Sequence, residues 1–267
     1  MQSELVTGHD GNRIHCVHAG TGPAVLIAHG FLLDLASFAG LHAELVARGY
    51  RVIAFDQRGH GHSTLGSSGN GSKVAARDYA TLIEHFGLRD FTLVGHSMGG
   101  FLALVLCLEQ PDLARRIKRL VLLGSHAGSV AEGSLQNKLQ IALLESGLMP
   151  PLWRFAPTGR ALVRPLFGRN ASAEHVELTR STLARQDVRA CLPLMHAQIN
   201  ESYYARLPEI KVPTRVLCGE LDRTCPAWHS RRLGAELPHA ETRWLPECGH
   251  MLGYEAADAV LDALCSS

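Results

Sequence analysis

Short apolar runs alternate with stretches of helical spacing along this 267-residue chain. The runs are rich in β-branched residues and bounded by Gly, Asp or Asn, which is typical of strands. Helical spacing is seen at 41–48 and 74–86, where apolar residues recur every three or four positions. Such alternation predicts a mainly parallel sheet with right-handed crossovers and helices on both faces. The predicted strands are 4–7, 13–18, 24–28, 51–55, 91–94, 119–123, 212–219 and 242–245.

Residues 127–207 break this alternation. The stretch is too long for a loop between neighbouring strands. Its apolar spacing is helical at 134–148, 173–183 and 188–199, with prolines among the shorter pieces between the first two of these segments. We therefore expect a helical cap inserted into an α/β core. The core would comprise residues 1–126 and 208–267, and the cap residues 127–207.

The most informative segment joins a predicted strand to a predicted helix around Ser97. It reads Gly95-His96-Ser97-Met98-Gly99, the G-x-S-x-G pattern in a strand–turn–helix setting. Such a turn strains the serine backbone, and the flanking glycines leave room for crowded neighbouring backbone. It presents the Ser97 hydroxyl as a candidate nucleophile and aims the Met98 N–H toward an oxyanion.

A serine nucleophile needs a general base and an acid that orients the base. Two predicted strands near the C-terminus end in loops that hold the candidates, Asp222 and His250. The chain order Ser, Asp, His is the one expected for a nucleophile elbow on an α/β sheet. His250 would accept the Ser97 proton through one ring nitrogen while Asp222 holds the other N–H. Glu220 is a rival acid, but the spacing after the strand and the following Pro226 favour Asp222.

The chain resembles the α/β-hydrolase superfamily over nearly its whole length. Beside the elbow, the resemblance rests on three segments, which are Ala28-His29-Gly30-Phe31, the Asp-x-Arg-Gly-x-Gly-x-Ser run from Asp56 to Ser63, and Gly249-His250. It implies the α/β-hydrolase fold, a mainly parallel doubly wound sheet with an inserted helical cap. It also implies that the Phe31 N–H completes an oxyanion hole with that of Met98. Asp56 and Arg58 are expected to be structural.

Composition excludes several classes of function. The formal net charge is +1, so no electrostatic footprint for nucleic acid is predicted. No apolar run approaches the roughly 18 residues of a spanning helix, and the first residues lack the basic and apolar parts of a signal peptide. Seven cysteines without C-x-x-C spacing are typical of a reduced protein. We therefore expect a cytoplasmic protein without a membrane anchor.

We also expect neither a cofactor nor a metal. Fifteen histidines are present, but there is no H-E-x-x-H motif and no paired Cys/His group with zinc-site spacing. A serine triad with backbone oxyanion donors needs only the chain's own groups. The sequence specifies no oligomeric state.

Three residues are candidates for contact with a small-molecule substrate. Trp153 and Met195 lie in the predicted cap, where packing is the commoner use of such side chains. His126 follows a strand end and would face the pocket, although packing or solvent exposure is the commoner outcome at such a position.

Three functions are compatible with these residues. The leading hypothesis is hydrolysis of a carboxylic ester or related acyl compound through an acyl-Ser97 intermediate. This reaction would make the chain carboxylesterase-like or lipase-like. The same triad would serve a C–C bond hydrolase, an amidase or an aminopeptidase, because likeness of fold does not choose the bond. A receptor-like binding protein on the same scaffold is the third, and the presence of Ser97, Asp222 and His250 together weighs against it.

Overall fold

In the computed structural model, which describes residues 1–265, eight strands form a single sheet. The strands are β1 (Gln2–Thr7), β2 (Arg13–Ala19), β3 (Ala24–Ala28), β4 (Arg51–Phe55), β5 (Phe91–His96), β6 (Ile117–Leu123), β7 (Thr214–Gly219) and β8 (Ala240–Leu245). Their order across the sheet is β1-β2-β4-β3-β5-β6-β7-β8. β2 pairs antiparallel with β1 and with β4, and the other neighbouring strands are parallel.

Within the same described range, helices connect the parallel strands and also follow the last strand. They are α1 (Ala39–Ala47), α2 (Ser72–His85), α3 (Met98–Glu109), α4 (Pro111–Ala114), α5 (Leu135–Glu145), α6 (Met149–Arg154), α7 (Ala156–Val163), α8 (Ala173–Arg185), α9 (Val188–Asn200), α10 (Ala227–Glu236), α11 (Leu252–Glu255) and α12 (Ala257–Cys265). Three 3₁₀ helices span Leu35–Phe38, Arg164–Leu166 and Tyr204–Glu209.

Local sequence signals account for several of these boundaries. Gly11 supplies the left-handed backbone (φ +83°) of the β1–β2 turn, and Gly49 does so (φ +86°) just after α1. The Ser172 side chain accepts a hydrogen bond from a backbone N–H in the first turn of α8. Asp187 accepts two such bonds at the start of α9. Each cap satisfies N–H groups that the first helical turn leaves unpaired.

Apolar side chains cover both faces of the sheet. On one face α2 and α3 pack against the strands, and Leu93 and Phe101 belong to that cluster. On the other face α1 and α12 pack, with Leu45 and Val260 in the cluster. Helix layers on both sides of a mainly parallel sheet confirm the predicted α/β class with a mainly parallel, doubly wound sheet.

The segment between β6 and β7 that we call the helical insert (residues 127–207) holds α5 to α9. Its apolar residues form a third cluster that includes Leu32, Leu33 and Met251 from the core. Those three residues lie in segments that follow the carboxyl ends of β3 and β8. The helical insert therefore covers the edge of the sheet at which ligands bind in α/β proteins.

Candidate active site

The turn between β5 and α3 places Ser97 in a strained backbone conformation. Its φ is +52° and its ψ −118°, values that a non-glycine residue adopts only when its surroundings force it to. A Cβ on Gly95 would lie 2.5 Å from Gly100 Cα, and one on Gly99 would lie 2.4 Å from the Ala28 carbonyl oxygen. The two glycines of the motif are therefore required by close backbone approach, as the sequence predicts.

Asp222 and His250 meet at the ends of β7 and β8. His250 Nδ1–H donates to Asp222 Oδ2 at 2.8 Å, and both side chains are buried. Asp222 Oδ1 accepts the backbone N–H groups of Thr224 (2.8 Å) and Cys225 (2.9 Å). The carboxylate is thus held on both oxygens, and in a neutral His250 ring donation from Nδ1 leaves Nε2 as a hydrogen-bond acceptor.

Gly124 is a member of the site that sequence reasoning missed. It follows β6 with φ +48°, and a Cβ there would lie 3.0 Å from Asp222 Oδ2 and 3.2 Å from His250 Nδ1. The backbone at this point passes directly against the Asp222–His250 pair. A glycine directly after an apolar strand was the available signal.

Glu255 holds the His250 loop and was also missed. Its carboxylate accepts the N–H groups of Gly249 and Met251, each at 3.1 Å. It also accepts the Gly168 N–H of the helical insert at 2.5 Å. One carboxylate therefore ties the loop of the candidate base to the helical insert, a link between residues too far apart in sequence for a spacing argument.

His96 supports His250 from the other side. Its Nε2–H donates to the His250 carbonyl oxygen at 2.9 Å, and the two rings lie with centroids 4.7 Å apart. Burial, and after it the positive charge of the nearby His250, lower the pKa of His96 to about 3. His96 is thus a neutral ring that fixes the backbone of His250 without adding a charge beside it.

The loop after β3 is held by His29 and Gln57. His29 Nδ1–H donates to the Gly30 carbonyl oxygen at 2.7 Å, and His29 Nε2 accepts the Gln57 N–H at 2.9 Å. Burial lowers the pKa of His29, in keeping with a neutral ring that uses one nitrogen as donor and the other as acceptor. Phe31, the residue after Gly30, lines the same cavity as Ser97.

The backbone N–H groups of Phe31 and Met98 are both unengaged. Among residues 1–265 neither N–H donates to a protein acceptor. Met98 is the first residue of α3, where N–H groups have no partner within the helix. Met98 directly follows Ser97 and Phe31 lines the same cavity as Ser97, so these two N–H groups remain the candidates for the predicted oxyanion hole.

Asp56 and Arg58 are placed as scaffold. Asp56 accepts the N–H groups of Leu35 (2.8 Å) and His62 (2.9 Å) and so closes the turn after β4. Arg58 is fully buried and makes two hydrogen bonds of 2.7 Å to Asp78.

A cavity of about 130 Å³ opens beside Ser97 and His250. None of the described residues that line it is a lysine, an arginine or a carboxylate. Apart from Ser97, the histidines and two neutral polar residues, Gln140 and Thr224, its walls are glycine or apolar. The lining residues are Gly30, Phe31, Leu32, Leu33, His96, Ser97, Gln140, Leu144, Met149, Trp153, Leu162, Leu166, Leu183, Thr224, His250 and Met251.

Of the three predicted pocket residues, the structure places only Trp153 in this lining. Met195 is buried in the apolar cluster of the helical insert instead. The expectation that His126 faces the pocket is wrong. Its ring stacks on Phe101 with centroids 5.3 Å apart, and its Nδ1 accepts the Gly128 N–H at 3.1 Å, so it packs beneath the helical insert.

Metal-binding clusters and membrane-spanning helices are both absent from the described residues. Within 1–265, no group of three or more His, Cys, Asp or Glu side chains is arranged to hold a metal ion. No helix in that range is both long and apolar enough to cross a membrane.

Comparison with known proteins agrees with this architecture. The family described as alpha/beta hydrolase fold matches residues 23–257. A 2-hydroxy-6-oxononadienedioate/2-hydroxy-6-oxononatrienedioate hydrolase of Burkholderia vietnamiensis is 31% identical over 260 residues, which cover 92% of this chain and 87% of that protein.

Two solved structures show the same fold at low identity. The esterase EaEST from Exiguobacterium antarcticum has a TM-score of 0.87 at 21% identity, covering 99% of this chain and 98% of its own. A bromoperoxidase from Bacillus anthracis has a TM-score of 0.86 at 23% identity, covering 98% of each chain. From the match over most of its length, the chain belongs to the alpha/beta hydrolase fold family.

Proposed function

We propose that this protein is a serine hydrolase that cleaves a carboxylic ester with a short, uncharged acyl group. Ser97 Oγ attacks the ester carbonyl carbon while its proton passes to His250 Nε2. The carbonyl oxygen becomes an oxyanion that accepts hydrogen bonds from the N–H groups of Phe31 and Met98. Asp222 orients the imidazole and stabilises its positive charge.

The second half of the reaction returns the enzyme to its starting state. As the tetrahedral intermediate collapses, His250 gives its proton to the departing alkoxide, which leaves as an alcohol. The acyl group remains bound to Ser97 as an ester. A water molecule then attacks the acyl carbonyl while His250 accepts the water proton. Collapse of this second intermediate returns a proton to Ser97 and releases the carboxylic acid.

The observation that carries the substrate class is the uncharged lining of the cavity. A carboxylate buried there would lose its hydration without gaining a lysine or arginine partner, which costs several kcal/mol. The cavity volume of about 130 Å³ is close to the roughly 150 Å³ that accommodates a benzene molecule in a protein core. The cavity therefore has room for an acyl chain of about six carbon atoms.

The free donor pair beside Ser97 supports catalysis over simple ligand capture. A binding protein would have no need for two unengaged backbone N–H groups next to a candidate serine nucleophile, whereas an oxyanion requires such donors. The proposed substrate is a small molecule, and the proposed reaction needs no cofactor. In this proposal the helical insert acts as a cap that shapes the acyl pocket through Trp153 and its neighbours.

Hydrolysis of a C–C bond is the second candidate, favoured by the name of the relative from Burkholderia vietnamiensis. The dioate in that name carries two carboxylates. Since the described cavity walls hold no lysine or arginine, the lining favours an uncharged ester over such a dianion. The two candidates therefore predict opposite preferences for charge.

A matched pair of esters tests the proposal. We expect the protein to hydrolyse p-nitrophenyl butyrate with a kcat/KM at least about a hundredfold above that for p-nitrophenyl hemisuccinate, because the latter buries a carboxylate. Ser97→Ala should abolish turnover, and Ser146→Ala, which alters an exposed serine of the helical insert, should not. Faster cleavage of 2-hydroxy-6-oxononadienedioate than of the butyrate would establish the C–C hydrolase instead.

A further inference from the structure

Asn137 joins the helical insert to the loop that carries Asp222. Its side chain is buried, and Nδ2 donates to the Thr224 carbonyl oxygen at 2.9 Å and to the Val130 carbonyl oxygen at 2.8 Å. Val130 follows β6, whereas Thr224 follows β7. A single amide group therefore fastens the first turn of α5 to two segments of the chain near the proposed catalytic site.

The bond to Thr224 acts on the peptide group that faces the proposed acid. The Thr224 C=O and the Cys225 N–H belong to one planar peptide unit. Asn137 binds the C=O end of this unit, and Asp222 Oδ1 accepts the N–H end at 2.9 Å. Rotation of the peptide plane would break both bonds together, so Asn137 fixes the direction of the N–H that holds Asp222.

We propose that Asn137 is a positioning residue that holds Asp222, and through it His250, in catalytic geometry. This inference rests on the proposed function, in which Asp222 orients His250. The chain of contacts runs from Asn137 Nδ2 through the Thr224–Cys225 peptide to Asp222 Oδ1, and from Asp222 Oδ2 to His250 Nδ1 at 2.8 Å.

The chemistry of the position calls for an asparagine. Both N–H groups of Nδ2 are used, while Asn137 Oδ1 has no partner among the described residues. An aspartate would turn acceptor oxygens toward two carbonyl oxygens, and a leucine of similar size would remove both donors. The backbone N–H of Asn137 is capped by Ser134 Oγ at 3.1 Å, which holds the residue in the first turn of α5.

The same helix also touches the acyl pocket. Gln140 and Leu144, one and two turns further along α5, line the cavity beside Ser97. The helix that shapes the acyl site thus also anchors the acid loop. A purely structural Asn137 would affect the acyl pocket and hence KM, whereas a positioning Asn137 affects kcat for every substrate.

A double-mutant cycle separates these two roles. With p-nitrophenyl acetate, which has a shorter acyl group than the butyrate, we expect Asn137→Leu to lower kcat about tenfold with little change in KM, as loss of its buried hydrogen bond to the Thr224 carbonyl oxygen allows. In the Asp222→Asn background the same substitution should change kcat less than about twofold, because the group that Asn137 positions is already disabled. Gln136→Leu, a half-buried neighbour on α5, is the matched control.

Three results would overturn the inference. They are an equal loss of kcat from Asn137→Leu in both backgrounds, a change in KM alone, and an Asn137→Leu protein as active as the Gln136→Leu control. If Asn137→Leu does not fold, the cycle is run with Asn137→Ala under the same criteria. If Asp222→Asn leaves kcat unchanged, the proposed function fails. If Asp222→Asn lowers kcat strongly but Asn137→Leu has no effect, only the inference about Asn137 is refuted.

Discussion

All six residues of β5 and the first eleven of α3 are buried, whereas α5 in the helical insert buries only Asn137 and Leu144. The elbow therefore has neighbours on every side, and its strained Ser97 persists because the surrounding packing determines its conformation. The insert instead leaves Leu135 82% and Phe155 65% exposed. Its position depends on fewer contacts, several of them single polar groups such as Asn137.

Under the proposed function, this difference gives the two regions different tasks. Catalytic groups need to be held to within a fraction of an ångström, which dense packing at the strand ends achieves. A pocket wall made of short helices tolerates exchange of side chains and changes which acyl group fits. The contrast agrees with a family in which one fold carries many activities.

The largest expected effect tests the rigid region. Asp222→Asn should lower kcat about 10⁴-fold, because the imidazole loses both its orientation and the partner of its positive charge. Steady-state kinetics on p-nitrophenyl butyrate measure this, with circular dichroism to show that the fold is retained. Glu220→Gln, in the same loop, is the control. A large loss of kcat in Glu220→Gln together with a small loss in Asp222→Asn would show that the acid is misassigned.

A smaller effect is expected in the helical insert, where Trp153 and Met195 form a natural pair. Both are buried, but only Trp153 lines the cavity. Trp153→Ala should shift the preference between butyrate and decanoate esters about ten- to a hundredfold in kcat/KM, since each methylene in such a pocket is worth about 1–3 kcal/mol. Met195→Ala should leave the ratio near its wild-type value. Equal shifts in both variants would mean that packing of the insert, and not contact with substrate, sets chain length.

The smallest effect concerns protonation of the buried core histidines. Burial lowers the pKa of His60 and of His96 to about 3, that of His126 to about 4 and that of His229 to about 2. In the unfolded chain these rings take up protons near pH 6.5. Below that pH the unfolded state therefore binds more protons than the folded state. The free energy of unfolding is highest above pH about 6.5 and falls as the pH drops toward 4.

Urea unfolding at several pH values measures this loss. The midpoint should fall steadily between pH about 6.5 and about 5, a window above the range in which carboxylates titrate. His126→Gln, which keeps a polar group at one of these positions, should make the fall shallower. A midpoint that stays flat over this window would contradict neutral burial of these histidines.

The sequence predicts the catalytic end of the sheet better than the helical insert, for a physical reason. The bounds of β3 and β4 match the prediction, because these short apolar runs end at clear turn signals. Asp222 and His250 are brought together as predicted, since their strands are parallel neighbours in the sheet. No helix is predicted for 257–265, although Val260, Leu261 and Leu264 have helical spacing.

The pattern of apolar positions does not specify the direction in which each side chain of the helical insert points. Met195 and Trp153 are both apolar and helical, yet only tertiary packing decides which of them reaches the cavity. Gly124 and Asn137 contact groups distant in sequence, and Glu255 joins the nearby His250 loop to the distant Gly168 N–H. Of these three, only Gly124 had a local signal, because it directly follows an apolar strand.

The acyl-enzyme itself offers the most direct test of the central claim, which is that Ser97 forms a covalent intermediate with an uncharged ester. Rapid acid quenching during turnover of p-nitrophenyl butyrate, followed by peptide mass spectrometry, should find a butyryl group on the peptide that contains Ser97. The adduct should be absent in Ser97→Ala and should accumulate in the first turnover. A butyryl group on another residue, or steady turnover with the Ser97 peptide unmodified at every quench time, would contradict the account.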